Sequence, residues 1–489
     1  MLRDALAHHQ AGRLREAEAL YREVLAAEPR NAEALHLLGV ALHQLGRHEE
    51  AIARIEEAIG VDAARPEFHS NLGEVHRMCG RPAQAERAYR AALALNPGLA
   101  AAHGNLGHAL LAQQRIAEAA ESYERAAELD PGNAGVIVNL AYAQLELGRL
   151  QEAERRSREA LALRPLDAEA HQFLAAALAG LDRFDEAAAS YRRAIELKPD
   201  YVEAHVNYAQ LCLVRGDYAQ GWKHYAWRRK RRDPAEWTGA EDLRGKSILL
   251  HYEQGLGDTI HFCRYAPLVA ARGAKVYLQV PAVLAPLLRG LGETVPEGAP
   301  PPRTDFRCAL LDLPAAFGTS LESIPADIPY VRADPGEWRA KLSGDKAKLV
   351  GLCWRGNPTY AGDRHRSMPF TTLAPLFAVP GVRYVSLQKE LRPEERHARL
   401  LHPGLDFAGT TGLVAALDLV ISVDTVWAHW AGAAGKPLWL MLSRIPHWCW
   451  MTEREDSPWY PTARLFRQET QGDWAPVVAR LARELRRRG

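Results

Sequence analysis

At 489 residues the chain is too long for a single core, and the 47% that is apolar is enough to fill more than one, which predicts three domains. Its 61 Lys and Arg balance 60 Asp and Glu, which excludes the strongly basic surface of a bulk nucleic-acid binder. The 6 cysteines form no Cys-x-x-Cys pair, which excludes a disulfide framework and a cysteine zinc site and suits a reducing compartment. The opening "MLRDALAHHQ" lacks the apolar centre of a signal peptide, and no run of about 18 apolar residues is present. The expectation is a soluble cytoplasmic protein with no membrane span.

Residues 1–233 repeat. Pro97, Pro131, Pro165 and Pro199 are spaced by 34, and the same step leads back through Ala63 to Pro29. It also links Gly46, Gly80, Gln114, Gly148, Asp182 and Gly216, and it links Tyr21, Ile55, Tyr89, Tyr123, Ser157, Tyr191 and Tyr225. Each unit reads as an Ala/Leu-rich helix, a turn at Gly-Arg or its equivalent, and a second helix carrying Ala and Tyr. One pair of helices cannot bury its own face, so the pairs must stack into a superhelix. The period resembles the tetratricopeptide repeat and predicts about seven helical pairs. Such arrays imply a concave groove for a protein or peptide. The asparagines Asn71, Asn105, Asn139 and Asn207, which recur in the first helices, are candidates to hold the peptide backbone; the other reading is a hydrogen bond inside the repeat. Trp222, Tyr225 and Trp227 suggest a capping helix packed against the next domain. The basic run Arg228 to Arg232 reads as a solvated helix end.

From residue 240 the pattern changes. "SILLHY", "KVYLQV", "FRCALLDL", "KLVGLCW", "RYVSLQ", "LDLVISV" and "PLWLML" read as buried strands alternating with amphipathic segments. This predicts parallel α/β structure in two Rossmann-like lobes, 240–340 and 341–489, with a cleft at the strand C-termini. "GETVPEGAPPPRTD" reads as a loop.

Three loops follow strands and carry polar groups. "HYEQGLGDTIHFCRY" turns at Gly255 and Gly257 and presents Asp258, either as a helix cap or as a base. "RGNPTYAGDRHRSMPF" holds Arg355, Asn357, Arg364, His365 and Arg366. "DTVWAHWAGAAGKP" opens a helix at Asp424 and Thr425, with His429 one turn on. A helix start beside several arginines suits a phosphate.

Those three loops, in this order, resemble the heptosyltransferase-like family of glycosyltransferases (family nine), which have the GT-B fold. The matching segments are "GLGDTIHF", "HRSMP" and "SVDTVWAHWAGAAGKPLW". The layout is also similar to O-linked N-acetylglucosamine transferase, without a close match to that enzyme's catalytic motifs. The resemblance implies inverting transfer of a sugar from a nucleotide-sugar donor. It places the general base on Asp258, the phosphate-binding cation on Arg366, and the donor contacts on Asp424 and Thr425, with Gly257, Arg355 and His429 beside them. It implies no metal and no other cofactor, and the chain has no Asp-x-Asp motif. Two departures stand out: the first lobe is short, and the family's cation is often lysine.

The acceptor expected from this reading is a protein or peptide presented by the repeats. One alternative is a non-catalytic scaffold with a degenerate GT-B domain. The other is a transferase for a saccharide or lipid-linked acceptor. In the tryptophan-rich tail, Trp448, Trp450 or Tyr460 is a candidate to stack on a base or sugar. Arg454 and Asp456 pair with each other or meet the acceptor. "LARELRRRG" reads as a surface helix.

Overall fold

A computed structural model describes residues 1–229, 235–342, 347–359 and 362–488, without the side chains of Arg364 and Arg488. The chain divides into two compact units, Met1–Ala204 and His205–Gly489. The division falls in the helix Val202–Val214.

Fourteen α-helices, from Leu2–Gln10 to Tyr218–Tyr225, run in sequence before the first strand among the described residues. The 34-residue period has a backbone cause. Each turn inside a pair needs one left-handed residue, and Gly12, Gly46, Gly80, Gly148 and Gly216 supply it with φ between 67° and 84° where Gly80 is included. Gln114 and Asp182 occupy the same position at φ 61° each, without glycine's freedom. First helices are capped at the same period. Asn31 accepts from the Ala34 amide at 3.0 Å, Asn133 from Val136 at 3.2 Å, and Asp167 from Ala170 at 3.0 Å.

Within the first unit the paired helices touch through small residues. A Cβ on Gly73 would lie 2.7 Å from the Tyr89 ring, and one on Gly107 would lie 2.6 Å from Tyr123. Both tyrosines are fully buried. Successive repeats are also joined at the rim by Arg47–Glu18 at 2.7 Å, Arg115–Glu86 at 2.6 Å and Arg183–Glu154 at 2.7 Å.

The second unit holds two parallel sheets. The first has the order β3-β2-β1-β4, from β1 (Ser247–His251), β2 (Lys275–Val280), β3 (Glu293–Pro296) and β4 (Phe306–Ala309). The second runs β10-β9-β8-β5-β6-β7. Its strands are β5 (Lys348–Cys353), β6 (Val382–Ser386), β7 (Leu400–Leu401), β8 (Leu419–Val423), β9 (Leu438–Leu442) and β10 (Ala463–Arg467). β8 and β9 are buried at every residue, as expected of strands covered on both faces. Three strands lie outside the apolar runs read from sequence. β3 corrects the loop expected over 292–305: it is a four-residue edge strand ending in proline, a place where the missing N–H does no harm. β7 and β10 are also edges and carry little apolar signal.

The first sheet has few helices of its own. The helix Tyr218–Tyr225 shares its core: Tyr218, Trp222 and Tyr225 are buried with Ile248, Leu250 and Leu310. Trp222 Nε1 donates to the Thr319 carbonyl at 2.8 Å, and Trp459 Nε1 donates to Tyr218 Oη at 3.0 Å. The solvated-end reading of the basic run is corrected for the residues described. Arg228 pairs with Glu253 at 2.6 Å and Asp312 at 2.7 Å, and Arg229 pairs with Glu236 at 2.6 Å and Asp312 at 2.8 Å. Residues 230–232 lie outside the described residues. The C-terminal helix Ala475–Arg488 is amphipathic, with Val477, Val478, Leu481 and Leu485 buried in the second-sheet core.

Candidate functional site

In each sheet the chain order reverses beside a central strand, between β1 and β4 in the first and between β5 and β8 in the second. Crevices for ligands form at the C-terminal ends of such strand pairs. Asp258 follows β1, Arg355 and Arg366 follow β5, and Asp424 follows β8.

Asp258 sits in the first turn of the helix Leu256–Phe262, whose N-cap residue is Gly255. Its carboxylate bonds back to the Gly255 backbone, a capping contact that is compatible with a role as a base. Burial raises its carboxyl above the usual range, His447 opposes this, and the Asp424 carboxylate adds to it. Asp258 and Asp424 therefore share one electrostatic environment, although they come from different sheets.

Gly257 has a packing role. A Cβ there would lie 2.9 Å from His429 Cδ2 and 3.7 Å from Val426 Cα. The glycine lets the Asp258 helix lie against the helix Val426–Ala433.

Asp424 is tied into the loop after β5, because Arg366 Nη1 donates to its carbonyl at 2.8 Å. Arg366 Nε also donates to Asp363 Oδ1 at 3.1 Å. Thr425 is the N-cap residue of Val426–Ala433, but its hydroxyl is turned inward, 3.0 Å from Ser422 Oγ. The donor role expected for that hydroxyl is thus taken by an internal contact, and the free groups at this helix start are backbone amides. Arg355 is also committed. It forms a two-pronged pair with Glu395, at 2.9 Å and 3.0 Å. Glu395 is buried, so this pair fixes the loop after β5. His365 is exposed and Nδ1 lies 3.3 Å from Gln471 Nε2; the Arg364 side chain lies outside the described residues.

His429 joins a buried cluster that the sequence reading treated only in part. His429 Nδ1 lies 3.0 Å from Tyr460 Oη and 3.3 Å from His261 Nδ1, and its Nε2 lies 3.7 Å from Asp424 Oδ1. Burial lowers the His429 pKa to about 4, against an opposing pull from Asp424. His261 is pushed well below the ordinary range by burial, then by Arg264. Its Nε2 has no hydrogen-bond partner among the described residues. Arg264, itself buried, donates to the carbonyls of His261 and Trp459 at 2.8 Å and 2.6 Å, and its guanidinium lies over the Tyr460 ring. The one sequence signal for His261 is its place three residues after Asp258, one helical turn on.

Trp448, Trp450 and Tyr460 are buried at 3% exposure or less. This corrects their expected role as stacking surfaces: they wall the histidine cluster. Arg454 and Asp456 pair with each other at 2.6 Å.

The four array asparagines are half-buried. Asn71 Nδ2 donates to His36 Nε2 at 2.7 Å, and Asn139 Nδ2 to His108 Nε2 at 3.0 Å. Each bond joins the first helices of neighbouring repeats, which differs from the expected bond within one repeat. Asn105 lies in Ala100–Ala112 and Asn207 in Val202–Val214.

Two family models described as tetratricopeptide repeat match residues 8–73 with 110–177, and 70–134 with 174–221. The N-terminal part of the chain is a tetratricopeptide-repeat array. Across a longer stretch the chain is similar to protein FlbA of Caulobacter vibrioides, at 31% identity over 325 residues, or 57% of this chain. It spans about half, 54%, of that relative's length. Among solved structures it is similar to YrrB, a TPR protein with an unusual peptide-binding site, with 18% identity, a TM-score of 0.36, and coverage of 38% of this chain and 95% of YrrB. It is also similar to the C-terminal part of a TPR repeat-containing protein from Cytophaga hutchinsonii. There the identity is 16% and the TM-score 0.40, covering 48% of this chain and 97% of that one. No helix among the described residues is long and apolar enough to cross a membrane.

Proposed function

We propose that the second unit is a GT-B-type inverting glycosyltransferase, using a nucleotide-sugar donor, and that the repeats present its protein or peptide acceptor. The observation that carries this reading is the close packing of the Asp258 helix, after β1, on the helix Val426–Ala433, after β8, where Gly257 leaves room for His429. Each sheet contributes one carboxylate from its own crevice, as a reaction between two substrates requires.

In this reading Asp258 removes the proton of the acceptor hydroxyl. The hydroxyl oxygen bonds to C1 of the sugar as the bond from C1 to the diphosphate oxygen breaks on the opposite face. A carboxyl raised by burial is a stronger base than one in water, provided it is ionised. Charge gathers on the departing diphosphate. The first amides of Val426–Ala433 and the Arg366 guanidinium face that charge. Arg355 acts indirectly, through the loop it anchors to Glu395.

The test is a thermal-shift screen against uridine, adenosine, guanosine and thymidine diphosphates and their sugar conjugates. Ligand that binds the folded state raises Tm by mass action. One nucleotide class is expected to stabilise the protein, with the effect lost in Arg366→Ala and kept in Asp258→Asn. No shift with any of them favours the scaffold reading, in which the array alone acts. A nucleotide shift combined with transfer that survives changes to Asn105 and Asn207 favours a saccharide or lipid-linked acceptor.

A further inference from the structure

The crevice of the first sheet lies between the C-terminal ends of β1 and β4, and two arginines from outside the sheet join its walls. Glu253 is in the loop that leaves β1, and Asp312 ends the 3-10 turn Leu310–Asp312 that leaves β4. Arg228 reaches both. Its Nη2 lies 2.6 Å from Glu253 Oε2, and its Nη1 lies 2.7 Å from Asp312 Oδ1. Arg229 repeats the bridge, with Nη2 2.8 Å from Asp312 Oδ2 and Nε 3.5 Å from Glu253 Oε1. Its Nη2 also lies 2.6 Å from Glu236, whose segment follows the edge of β4, where the Trp237 amide donates to the Arg307 carbonyl at 2.8 Å. Arg228 is held from behind as well. Its Nη1 donates to the Tyr225 carbonyl at 3.2 Å, and its guanidinium lies 4.6 Å from the centre of the Tyr225 ring.

The side chains of these five charged residues are between 8% and 18% exposed. Ion pairs at that depth are weakly screened, and removing one partner leaves the other without its counter-charge. The loop that Glu253 ties down leads to the candidate base. Glu253 is the only charged residue of Tyr252–Gly255, and Asp258 follows it by five residues. Gly255 and Gly257 give this stretch more backbone freedom than other residues would, so its course depends on outside contacts. The Tyr252 amide donates to the Gln279 carbonyl of β2 at 3.1 Å. Glu253 carries the next anchor.

We propose that Arg228 and Arg229 are positioning residues for Asp258. They clamp the loop after β1 to the turn after β4 and so hold that carboxylate at one place in the crevice. The catalytic meaning of the clamp rests on the transferase reading, while the clamp itself does not. The helix Tyr218–Tyr225 does not need the clamp to stay on the sheet. Tyr218, Trp222 and Tyr225 are buried there, and Trp222 holds the Thr319 carbonyl. The clamp matters where geometry is tight, because displacing a catalytic group by about 1 Å costs up to about 100-fold in rate.

The experiment joins hydrogen exchange to kinetics on the full chain. Amide exchange is followed by mass spectrometry in wild type, Glu253→Gln and Arg228→Lys. Peptides covering 252–262 are expected to exchange about tenfold faster or more in both variants, with β2 and the helix Tyr218–Tyr225 unchanged. Arg228→Lys is the stricter variant, because an ammonium keeps the charge but cannot span two carboxylates as a fork does. Glu253→Asp, one methylene shorter, replaces Glu253→Gln if that variant does not fold. Unchanged protection of 252–262 overturns the clamp, as does faster exchange spread evenly over the first sheet. Turnover is read as release of nucleoside diphosphate from the nucleotide sugar that raises Tm, with water as the acceptor. The water oxygen bonds to C1, the bond from C1 to the diphosphate breaks, and the proton goes to Asp258. In both variants kcat is expected to fall about 10- to 100-fold, with KM and the nucleotide-induced Tm shift unchanged. Faster loop exchange with an unchanged kcat overturns the positioning role. Faster loop exchange without any nucleotide shift leaves the clamp standing and removes the transferase reading. A nucleotide shift with unchanged exchange removes the clamp alone.

Discussion

Gly257 and His429 show how one atom sets the site. A methyl group at residue 257 would meet the His429 ring at 2.9 Å and separate the two helices that carry Asp258 and the Asp424 amides. Gly257→Ala is expected to lower Tm and to abolish any nucleotide-induced shift, measured in the same thermal screen. His429 also gives a pH prediction. Its folded pKa of about 4 lies below the ordinary 6.5, so its contribution to stability is full above about 6.5 and is lost as pH falls through about 4. Acid unfolding monitored by tryptophan fluorescence is expected to start below pH 6.5 and to be less steep in His429→Gln. Asp258 has the opposite sign. Its raised folded pKa gives stability at low pH that is lost as pH rises, and Asp258→Asn is expected to remove that dependence.

For the repeat helices, position within the 34-residue unit predicts the cost of a change. Gln114 and Asp182 hold the left-handed turn that glycine fills elsewhere. Gln114→Gly and Asp182→Gly are each expected to stabilise by up to about 1 kcal/mol, and Gly148→Ala to destabilise by about 1 kcal/mol, in urea unfolding. Gly107 faces a fully buried Tyr123, so Gly107→Val overpacks the helix pair and is expected to lose about 1–3 kcal/mol. The Arg–Glu ladder along the rim is a contrasting case. Its arginines are part-exposed and its glutamates mostly covered, so Arg115→Ala is expected to lower Tm modestly, and less in high salt. The sequence showed these elements clearly because their cause is local: a turn residue, a cap and an alanine face recur at one spacing. The edge strands β3, β7 and β10 were not legible. β3 and β7 are short and partly exposed, β10 alternates charged and apolar residues, and only their neighbours make them strands.

For the second unit as a whole, the helix Tyr218–Tyr225 belongs to the core of the first sheet. A chain starting at residue 240 loses Tyr218, Trp222 and Tyr225 and uncovers Trp448, Trp459 and Tyr265. It is expected to aggregate, whereas a chain starting at residue 205 is expected to stay monodisperse in light scattering. The sequence suggested a capping helix through its aromatic residues. It gave no indication that Arg228 and Arg229 are half-buried and paired with Glu253, Asp312 and Glu236, because a basic run looks the same whether solvated or paired.

The sequence by itself determined the repeat array, its period and its turns, the parallel α/β character of the rest, and the loops that carry Asp258, Arg366 and Asp424. Each is written within a few tens of residues, in spacing or in an apolar run. The tertiary structure decided what those loops do to one another. It turned Thr425 toward Ser422, tied Arg355 to Glu395, and made Gly257 a helix contact. It also buried Trp448, Trp450 and Tyr460 around His261 and His429. These outcomes depend on contacts between residues up to 199 positions apart, as in Tyr460 with His261. Burial and pairing at that distance are properties of packing, and a local pattern of residue types does not encode them.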